Sequence, residues 1–233
     1  MTSKIKIIIL DIDGVMNSIQ SNYWYKLLGF DEKMDWLDYR AIDNPEELHP
    51  LDKKLCPMAC SNLKLILDQY PEIRIVISST WRKSRSVEKF NTIFKYYKIT
   101  DKDLVLDKTP IMNTQRGYEI EHWLKNTNYQ VEDFVILDLD DDSDMGPYLD
   151  TPHFIKTNYK VGLDYTIFEK MDKYFGHFNL KFYDLVEGQK YKMYSKPRET
   201  VYIKEGSDLV YYDSDRRVSV FYYPEHELFS KVI

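Results

Sequence analysis

Apolar residues along this chain are grouped in short runs that end in polar residues. The first run spans Ile5–Leu10 and is followed by Asp11, and the second spans Ile73–Ile77 and is followed by Ser78. Three further runs have the same character: Leu104–Leu106, Phe134–Leu137 and His153–Lys156. Runs of this length, bounded by polar or turn-forming residues, are typical of buried strands. We therefore predict a strand at each of them.

Between these runs, apolar residues recur at helical spacing. Three segments show it: Cys60–Tyr70, Ser86–Tyr97 and Tyr118–Lys125. Strands that alternate with amphipathic helices form βαβ units around a parallel sheet, with helices on both faces. The pattern therefore predicts an α/β fold. In such folds ligands bind outside the carboxyl ends of the strands, which is where the polar residues lie.

Two regions fall outside this alternation. Residues 17–55 form a long connection after the first strand, rich in aromatic and acidic residues, and we predict a cap or lid there. In the other region, alternating apolar and polar residues over 182–224 predict a small antiparallel sheet. The predicted organisation is a main domain at 1–175, with 17–55 as its insertion, and a β-rich appendage at 176–233.

Composition and charge narrow the class of protein. Of the 233 residues, 43% are hydrophobic and 30% are charged, which is typical of a folded protein. No apolar run approaches the roughly 20 residues that a membrane helix needs, so we expect no membrane partner and a cytoplasmic location. The net charge of −6 excludes an overall polycationic surface for nucleic acid, but a local patch stays possible. Cys56 and Cys60 are most simply buried apolar residues.

The first strand ends in two carboxylates, Asp11 and Asp13, and Gly14 gives the chain room to turn. Acids at i and i+2 can converge where a strand ends, and two such anions need a cation; hard oxygen ligands suit Mg²⁺. Asp11 would then attack phosphorus and form an aspartyl-phosphate, and Asp13 would shuttle the proton. The alternative is that the two acids merely begin a loop.

Polar residues after the second strand are candidates for binding phosphate. The Ser78 hydroxyl and the backbone N–H groups that follow it could hold a phosphate oxygen. Ser79 and the planar guanidinium of Arg82 are weaker candidates for the same role. The alternative is a cap of the following helix for Ser79 and Thr80, and an ordinary surface position for Arg82.

Two later clusters complete the candidate site. Arg116 precedes the third helix, where a fixed cation could offset the charge of a phosphate, and Lys108 is a weaker rival. The acids of 138–142 follow a buried strand, and like-charge repulsion makes such a cluster costly without a cation. Metal ligation explains the cluster, whereas the alternative, a solvated acidic loop, would suit Asp144 and Asp140.

Together these residues resemble the haloacid dehalogenase-like (HAD) superfamily of Mg²⁺-dependent phosphohydrolases. Its four motifs occur here in order: Asp11-Ile-Asp13-Gly14-Val15, Ile75-Val-Ile-Ser78, Arg116 before a helix, and Asp138 with the acids after it. Within the superfamily, about residues 4–170 resemble the HAD domain of Swiss Army knife RNA repair proteins. That resemblance is carried by Ser78-Ser-Thr-Trp81-Arg82, Arg116-Gly-Tyr-Glu-Ile-Glu-His-Trp-Leu124, Ile-Leu-Asp138, Lys156-Thr157 and Gly162-Leu163.

The resemblance implies a Rossmann-like sheet and phosphate-ester hydrolysis with Asp11 as nucleophile. It also implies Mg²⁺ bound by Asp11, the backbone carbonyl of Asp13 and an acid of the fourth motif. That motif is longer here than the usual Ile-Leu-Asp-Asp-Asp, so we expect Asp142 to join Asp138 at the metal, with Asp141 as the next choice. The presence of Asp13 favours a phosphatase over a dehalogenase.

The leading hypothesis for the substrate is a nucleotide or a polynucleotide 3′ end, as in nucleic-acid repair. Residues 177–204 favour it because cations there alternate with tyrosines, which suits single strands. These tyrosines are Tyr183, Tyr191, Tyr194 and Tyr202. A charged solvent-facing sheet surface is the plainer interpretation of the same residues.

Two other functions stay open. A phosphatase of sugar phosphates or other small metabolites is the first, because a closing lid over 17–55 would exclude polymers. A non-catalytic binding protein on a HAD fold is the second. That hypothesis predicts a missing catalytic residue, and all the motif residues are present.

Overall fold

The computed structural model describes residues 4–21, 46–139, 142–176, 188–193, 202–205, 208–213, 216–220 and 229–231. The chain divides into two compact units, Met1–Phe168 and Glu169–Ile233. This division lies inside a helix and slightly before the predicted boundary at residue 175. Most of the predicted lid, residues 22–45, lies outside the described residues, as does much of the stretch at 177–204.

The first unit contains a parallel sheet. Its described strands are β1 (Ile5–Leu10), β2 (Ile73–Ile77), β3 (Val105–Lys108), β4 (Val131–Asp138) and β5 (Phe154–Lys156), in the order β3-β2-β1-β4-β5. The α-helices are α1 (Pro57–Gln69), α2 (Val87–Tyr96), α3 (Arg116–Asn126), α4 (Asp142–Met145) and α5 (Tyr165–Phe175). The predicted α/β fold is therefore confirmed. No helix in the described part of the chain is long and apolar enough to cross a membrane.

The central strand β1 is buried on both faces, which explains its nearly continuous apolar sequence. Ile7 and Ile9 belong to a core cluster that also contains Ile120 of α3. Ile8 and Leu10 point to the opposite face and are also fully buried. The end of β1 is thus held from both sides of the sheet.

The second unit contains an antiparallel sheet, as predicted for this region. Its described strands are β6 (Lys190–Met193), β7 (Tyr202–Glu205), β8 (Asp208–Asp213), β9 (Arg216–Val220) and β10 (Phe229–Lys231), in the order β10-β6-β7-β8-β9. Tyr191 and Tyr202 face each other across β6 and β7 and are only 1% and 3% exposed. These two tyrosines are buried by packing and are not available to stack on bases, whereas Tyr183 and Tyr194 lie outside the described residues.

A buried ionic cluster joins the residues before α1 to α2. Asp52, in the short 3-10 helix Pro50–Lys53, is fully buried and lies 2.8 Å from Arg85 Nε and 3.0 Å from Lys89 Nζ. The backbone N–H of His49 also donates to Asp52 Oδ2 at 3.0 Å. Buried charges are stable only when they are paired and hydrogen-bonded. The cluster therefore anchors the last residues of the predicted 17–55 insertion to α2, so this end of the insertion is part of the packed domain.

Replacing Asp52 tests this cluster. We expect Asp52→Asn to lower the free energy of unfolding by about 3 kcal/mol or more, because it leaves buried cations without their carboxylate. Urea denaturation at neutral pH measures the change. Asp68→Asn is the matched control, since Asp68 pairs with Lys64 on the exposed face of α1 and should cost less than about 1 kcal/mol. Equal losses in the two variants would contradict the structural role of Asp52.

Candidate active site

The candidate site lies at the carboxyl ends of the central strands. The backbone ladder continues one residue past them: Asp11 N donates to Leu137 O at 3.0 Å, and Ser78 N donates to Leu10 O at 2.9 Å. Asp138, the last residue of β4, therefore lies on the same edge of the sheet as Asp11 and Ser78. β2 lies on one side of β1 and β4 on the other, and ligands bind where the strand order reverses in this way.

Arg116, the first residue of α3, joins two buried carboxylates at this edge. Its Nη1 lies 3.3 Å from Asp11 Oδ1 and 3.5 Å from Asp138 Oδ2, and the same nitrogen donates to the carbonyl of Ser78. Asp11 is 5% exposed and Asp138 is 0% exposed. Burial raises the pKa of Asp11 from 3.8 to about 6, although the Arg116 charge and a hydrogen bond from Ser79 oppose this shift.

The oxygen atoms around Asp11 suit a hard divalent cation. Asp11 and Asp138 are both shielded from water and converge on one cationic nitrogen, so positive charge is needed to keep both ionised. Within the described ranges no group of three or more acidic, histidine or cysteine side chains could hold a metal. Mg²⁺ often takes only one or two carboxylates and completes its shell with water and phosphate, so this pair fits it.

The structure describes only some of the other acids of the fourth motif. Asp140 and Asp141 lie outside the described residues, and so does the side chain of Asp142. The backbone of Asp142 begins α4. The choice of Asp142 as the second acidic metal ligand, with Asp141 next, therefore stays a prediction.

Asp13 is exposed and begins the turn after β1. Trp81 Nε1 lies 3.2 Å from its Oδ1 and 3.1 Å from its Oδ2, and Asn17 Nδ2 donates to Oδ1 at 2.9 Å. Gly14 adopts a φ of +78°, which favours glycine, and its N–H donates to Asn17 O at 2.7 Å. The sequence patterns did not assign a role to Trp81 or Asn17. The only sequence signals were that Trp81 lies in the Ser78-Ser-Thr-Trp81-Arg82 motif and that Asn17 lies four residues after Asp13.

The turn after β2 is held by Arg82. This side chain is 5% exposed; Nε donates to Thr109 O at 3.1 Å, Nη1 donates to Ser79 O at 2.8 Å, and Nη2 donates to the Glu119 carboxylate. Ser79 accepts a backbone N–H of the 3-10 helix Thr80–Lys83, so the helix-cap alternative is what the structure shows. As placed, Arg82 ties this turn to α3, and its role in phosphate binding stays a prediction.

Asp144 lies beside Arg116, although its side chain is still 34% exposed, as expected for a partly solvated acid. Its Oδ1 accepts the backbone N–H of Arg116 at 2.9 Å, and its Oδ2 lies 3.5 Å from Arg116 Nε. The carboxylate thus satisfies a free N–H at the start of α3 and orients the arginine. Lys108, the rival cation, instead donates to the carbonyls of Arg82 and Arg85 at 3.0 and 2.6 Å.

Gly117 allows α3 to approach the segment that carries Asp144. A Cβ atom at Gly117 would lie 2.0 Å from the carbonyl oxygen of Met145, which is too close for any side chain. Because the obstacle is backbone, the clash could be relieved only by moving α3 or the 142–148 segment. Gly117 therefore sets the distance between Arg116 and Asp144.

Whether Gly117→Ala raises or lowers the stability of the protein tests this contact. In an unobstructed helix this change stabilises by about 0.5–1 kcal/mol, but here we expect a loss of about 1–3 kcal/mol from the clash. Thermal denaturation measures it. A variant more stable than the parent protein would show that α3 and the 142–148 segment are not in this contact.

An open polar cleft of about 140 Å³ adjoins Arg116. Hydroxyl, amide and ammonium groups line much of it, and among the residues that supply them are Thr80, Lys83, Asn113 and Thr114. Lys83 is exposed to solvent there. The cleft also exposes the side of Arg116 next to Asp144, and neither Asp11 nor Asp138 is part of its lining.

The family model for the HAD domain in Swiss Army Knife RNA repair proteins matches residues 7–166. The chain belongs to this family. The matched range contains Asp11, Asp13, Ser78, Arg116 and Asp138, and family membership indicates phosphohydrolase chemistry.

Two solved structures also resemble this HAD domain. They are the HAD domain of effector protein Lem4 from Legionella pneumophila and its inactive mutant, each at 16% sequence identity. The TM-scores are 0.40 and 0.41, over 73% and 72% of this chain and 94% and 93% of the Lem4 chains. No match was found among curated proteins.

Proposed function

We propose that this HAD domain is a Mg²⁺-dependent phosphatase that hydrolyses a phosphate monoester through an aspartyl-phosphate on Asp11. One observation carries the proposal: a single Arg116 nitrogen contacts both Asp11 and Asp138 at the buried strand ends, at 3.3 and 3.5 Å. A fixed cation beside a nucleophile stabilises charge that develops on phosphoryl oxygens. Asp13 lies two residues after Asp11 and is exposed to solvent, which suits a proton donor to the leaving oxygen.

The reaction would proceed in two half-reactions. In the first, an Asp11 oxygen bonds to phosphorus as the ester P–O bond breaks, and the leaving oxygen takes a proton from Asp13. In the second, Asp13 takes a proton from water as the water oxygen bonds to phosphorus, and the bond to Asp11 breaks to release phosphate. Arg116 supplies fixed positive charge in both steps, and Ser78 would hold a phosphoryl oxygen.

The residues that would hold Mg²⁺ lie at the ends of β1 and β4. Asp11, the backbone carbonyl of Asp13 and Asp138 would hold Mg²⁺, with Asp142 as a further ligand by resemblance. When bound, the ion would neutralise phosphate charge and orient the ester oxygens. Asp11 and Asp138 come from paired strands, so the register of β1 and β4 fixes their spacing.

For the substrate we propose a nucleotide or a polynucleotide 3′ end. The matching family is described by its occurrence in RNA repair proteins. The cleft beside Arg116 offers polar groups of the kind that contact phosphates and sugars, and Lys83 adds an exposed cation. Since Tyr191 and Tyr202 are buried, these two residues do not support a polymer substrate, and the support for one comes from the cleft.

Replacing the nucleophile tests the mechanism. We expect Asp11→Asn to lower Mg²⁺-dependent hydrolysis of p-nitrophenyl phosphate by roughly a thousandfold or more, because the amide cannot form the aspartyl-phosphate. Phosphate release is the measurement, and chelation with EDTA should abolish it in the parent protein. Asp103→Asn is the control, since Asp103 forms an exposed pair with Lys95. Retained hydrolysis by Asp11→Asn would show that the mechanism is wrong.

Substrate choice is tested by comparing phosphate release from 3′-phosphorylated oligonucleotides, mononucleotides and sugar phosphates. We expect the oligonucleotide to have the highest kcat/KM. Lys83→Ala should reduce this value about fivefold, equivalent to roughly 1 kcal/mol, through a weaker contact with a second phosphate. Lys102→Ala, at an exposed position before β3, should leave it unchanged. Equal or reversed rates for the oligonucleotide and the mononucleotide would rule out the polynucleotide substrate.

A further inference from the structure

We propose that Trp81 is a positioning residue that holds the Asp13 carboxyl group in place for proton transfer to the leaving oxygen. This inference rests on the proposed phosphatase function and assigns a role within its site. Trp81 acts through Asp13 and is not assigned a contact with the reacting atoms.

The hydrogen bond from Trp81 constrains Asp13 unusually well. The indole Nε1 is 3.2 Å from Oδ1 and 3.1 Å from Oδ2, so both oxygens are held near a single donor. An exposed aspartate without such a donor samples several rotamers. Because Asn17 Nδ2 also donates to Oδ1, the carboxyl group is held from two directions and Oδ2 is the oxygen with fewer side-chain donors in the described structure.

Trp81 is itself held by the buried ionic cluster. The Arg85 guanidinium carbon lies 3.9 Å from the centre of a Trp81 ring, within the range of a cation–π contact. Arg85 is buried and donates from Nε to Asp52 at 2.8 Å. Contacts therefore run without a break from the domain interior to the exposed acid, through Asp52, Arg85, Trp81 and Asp13. Each member restrains the next.

The placement of the Asp13 carboxyl group should affect some phosphate esters more than others, because leaving groups differ in their need for a proton. A leaving alkoxide, such as a sugar oxygen, needs a proton as its bond to phosphorus breaks, whereas p-nitrophenolate leaves readily without one. A misplaced Asp13 therefore slows cleavage of alkyl phosphates much more than cleavage of p-nitrophenyl phosphate. A tryptophan that only supported the fold would affect both substrates equally.

The kinetic test uses Trp81→Phe, which keeps an aromatic ring but removes the N–H donor. We expect kcat/KM for glycerol 2-phosphate to fall about tenfold or more, with less than about a threefold change for p-nitrophenyl phosphate. Trp123→Phe is the matched control, because Trp123 Nε1 also donates to a carboxylate, Asp107 Oδ2, at 2.7 Å. The ratio of the two substrates should not change in this control. Equal losses on both substrates, or no loss on either, would overturn the proposal.

A second measurement does not depend on catalysis. The chain has 4 tryptophans, so indole N–H signals in a nitrogen–proton NMR spectrum are few, and Trp81→Phe identifies the one from Trp81. We expect Asp13→Ala to shift this signal and to leave that of Trp123 in place, while Asp107→Ala does the reverse. A Trp81 signal unaffected by Asp13→Ala would overturn the proposal by showing that the hydrogen bond does not form in solution.

The two proposals fail in different ways. If the parent protein hydrolyses p-nitrophenyl phosphate but Trp81→Phe leaves the substrate ratio unchanged, the role of Trp81 is wrong and the phosphatase stands. If the parent protein hydrolyses neither ester, the phosphatase is wrong, and the positioning role falls with it even where the NMR shift is observed.

Discussion

The parallel register of the sheet is the constraint on which the site depends. Four strands, β1, β2, β3 and β5, keep a backbone hydrogen bond to the neighbouring strand one residue beyond their ends. The N–H donors are those of Asp11, Ser78, Thr109 and Thr157. Each strand end is therefore fixed relative to the next before any side chain contributes. A slip of one residue would turn Asp11 to the other face of the sheet.

Electrostatics explains why so many polar groups surround these strand ends. The Asp11 carboxyl group is out of water, and its raised pKa reflects the cost of keeping it charged there. Arg116 reduces that cost, and Asp144 holds Arg116 by contacts with its backbone and its side chain. The surrounding acids therefore differ in role: in the proposed mechanism Asp11 and Asp13 react, whereas Asp144 contacts and positions Arg116. A phosphate with its metal ion would enter a site whose charges are already arranged.

The sequence predicted the elements well because apolar periodicity reports burial directly. It also predicted that Asp11, Ser78, Arg116 and Asp138 lie near strand ends or a helix start. It could not assign the contacts between side chains far apart in the chain, such as Trp81 with Asp13 or Arg116 with Asp144. Those contacts depend on rotamers and on how turns approach one another, which leave no periodic signal. Tyr191 and Tyr202 show a second limit of the sequence, because the same alternating aromatic pattern suits both packing and base stacking, and here these two residues pack.

Gly117 has a consequence for any attempt to redesign this domain. The gap between α3 and the carbonyl of Met145 has no room for even one methyl group. The helix that begins with Arg116 and the segment that follows the fourth motif must therefore shift as one body. A designer who lengthens or shortens the loop after β4 will therefore also displace Arg116. The length of this loop and the position of Arg116 cannot be changed independently, so a library of variants should change both together.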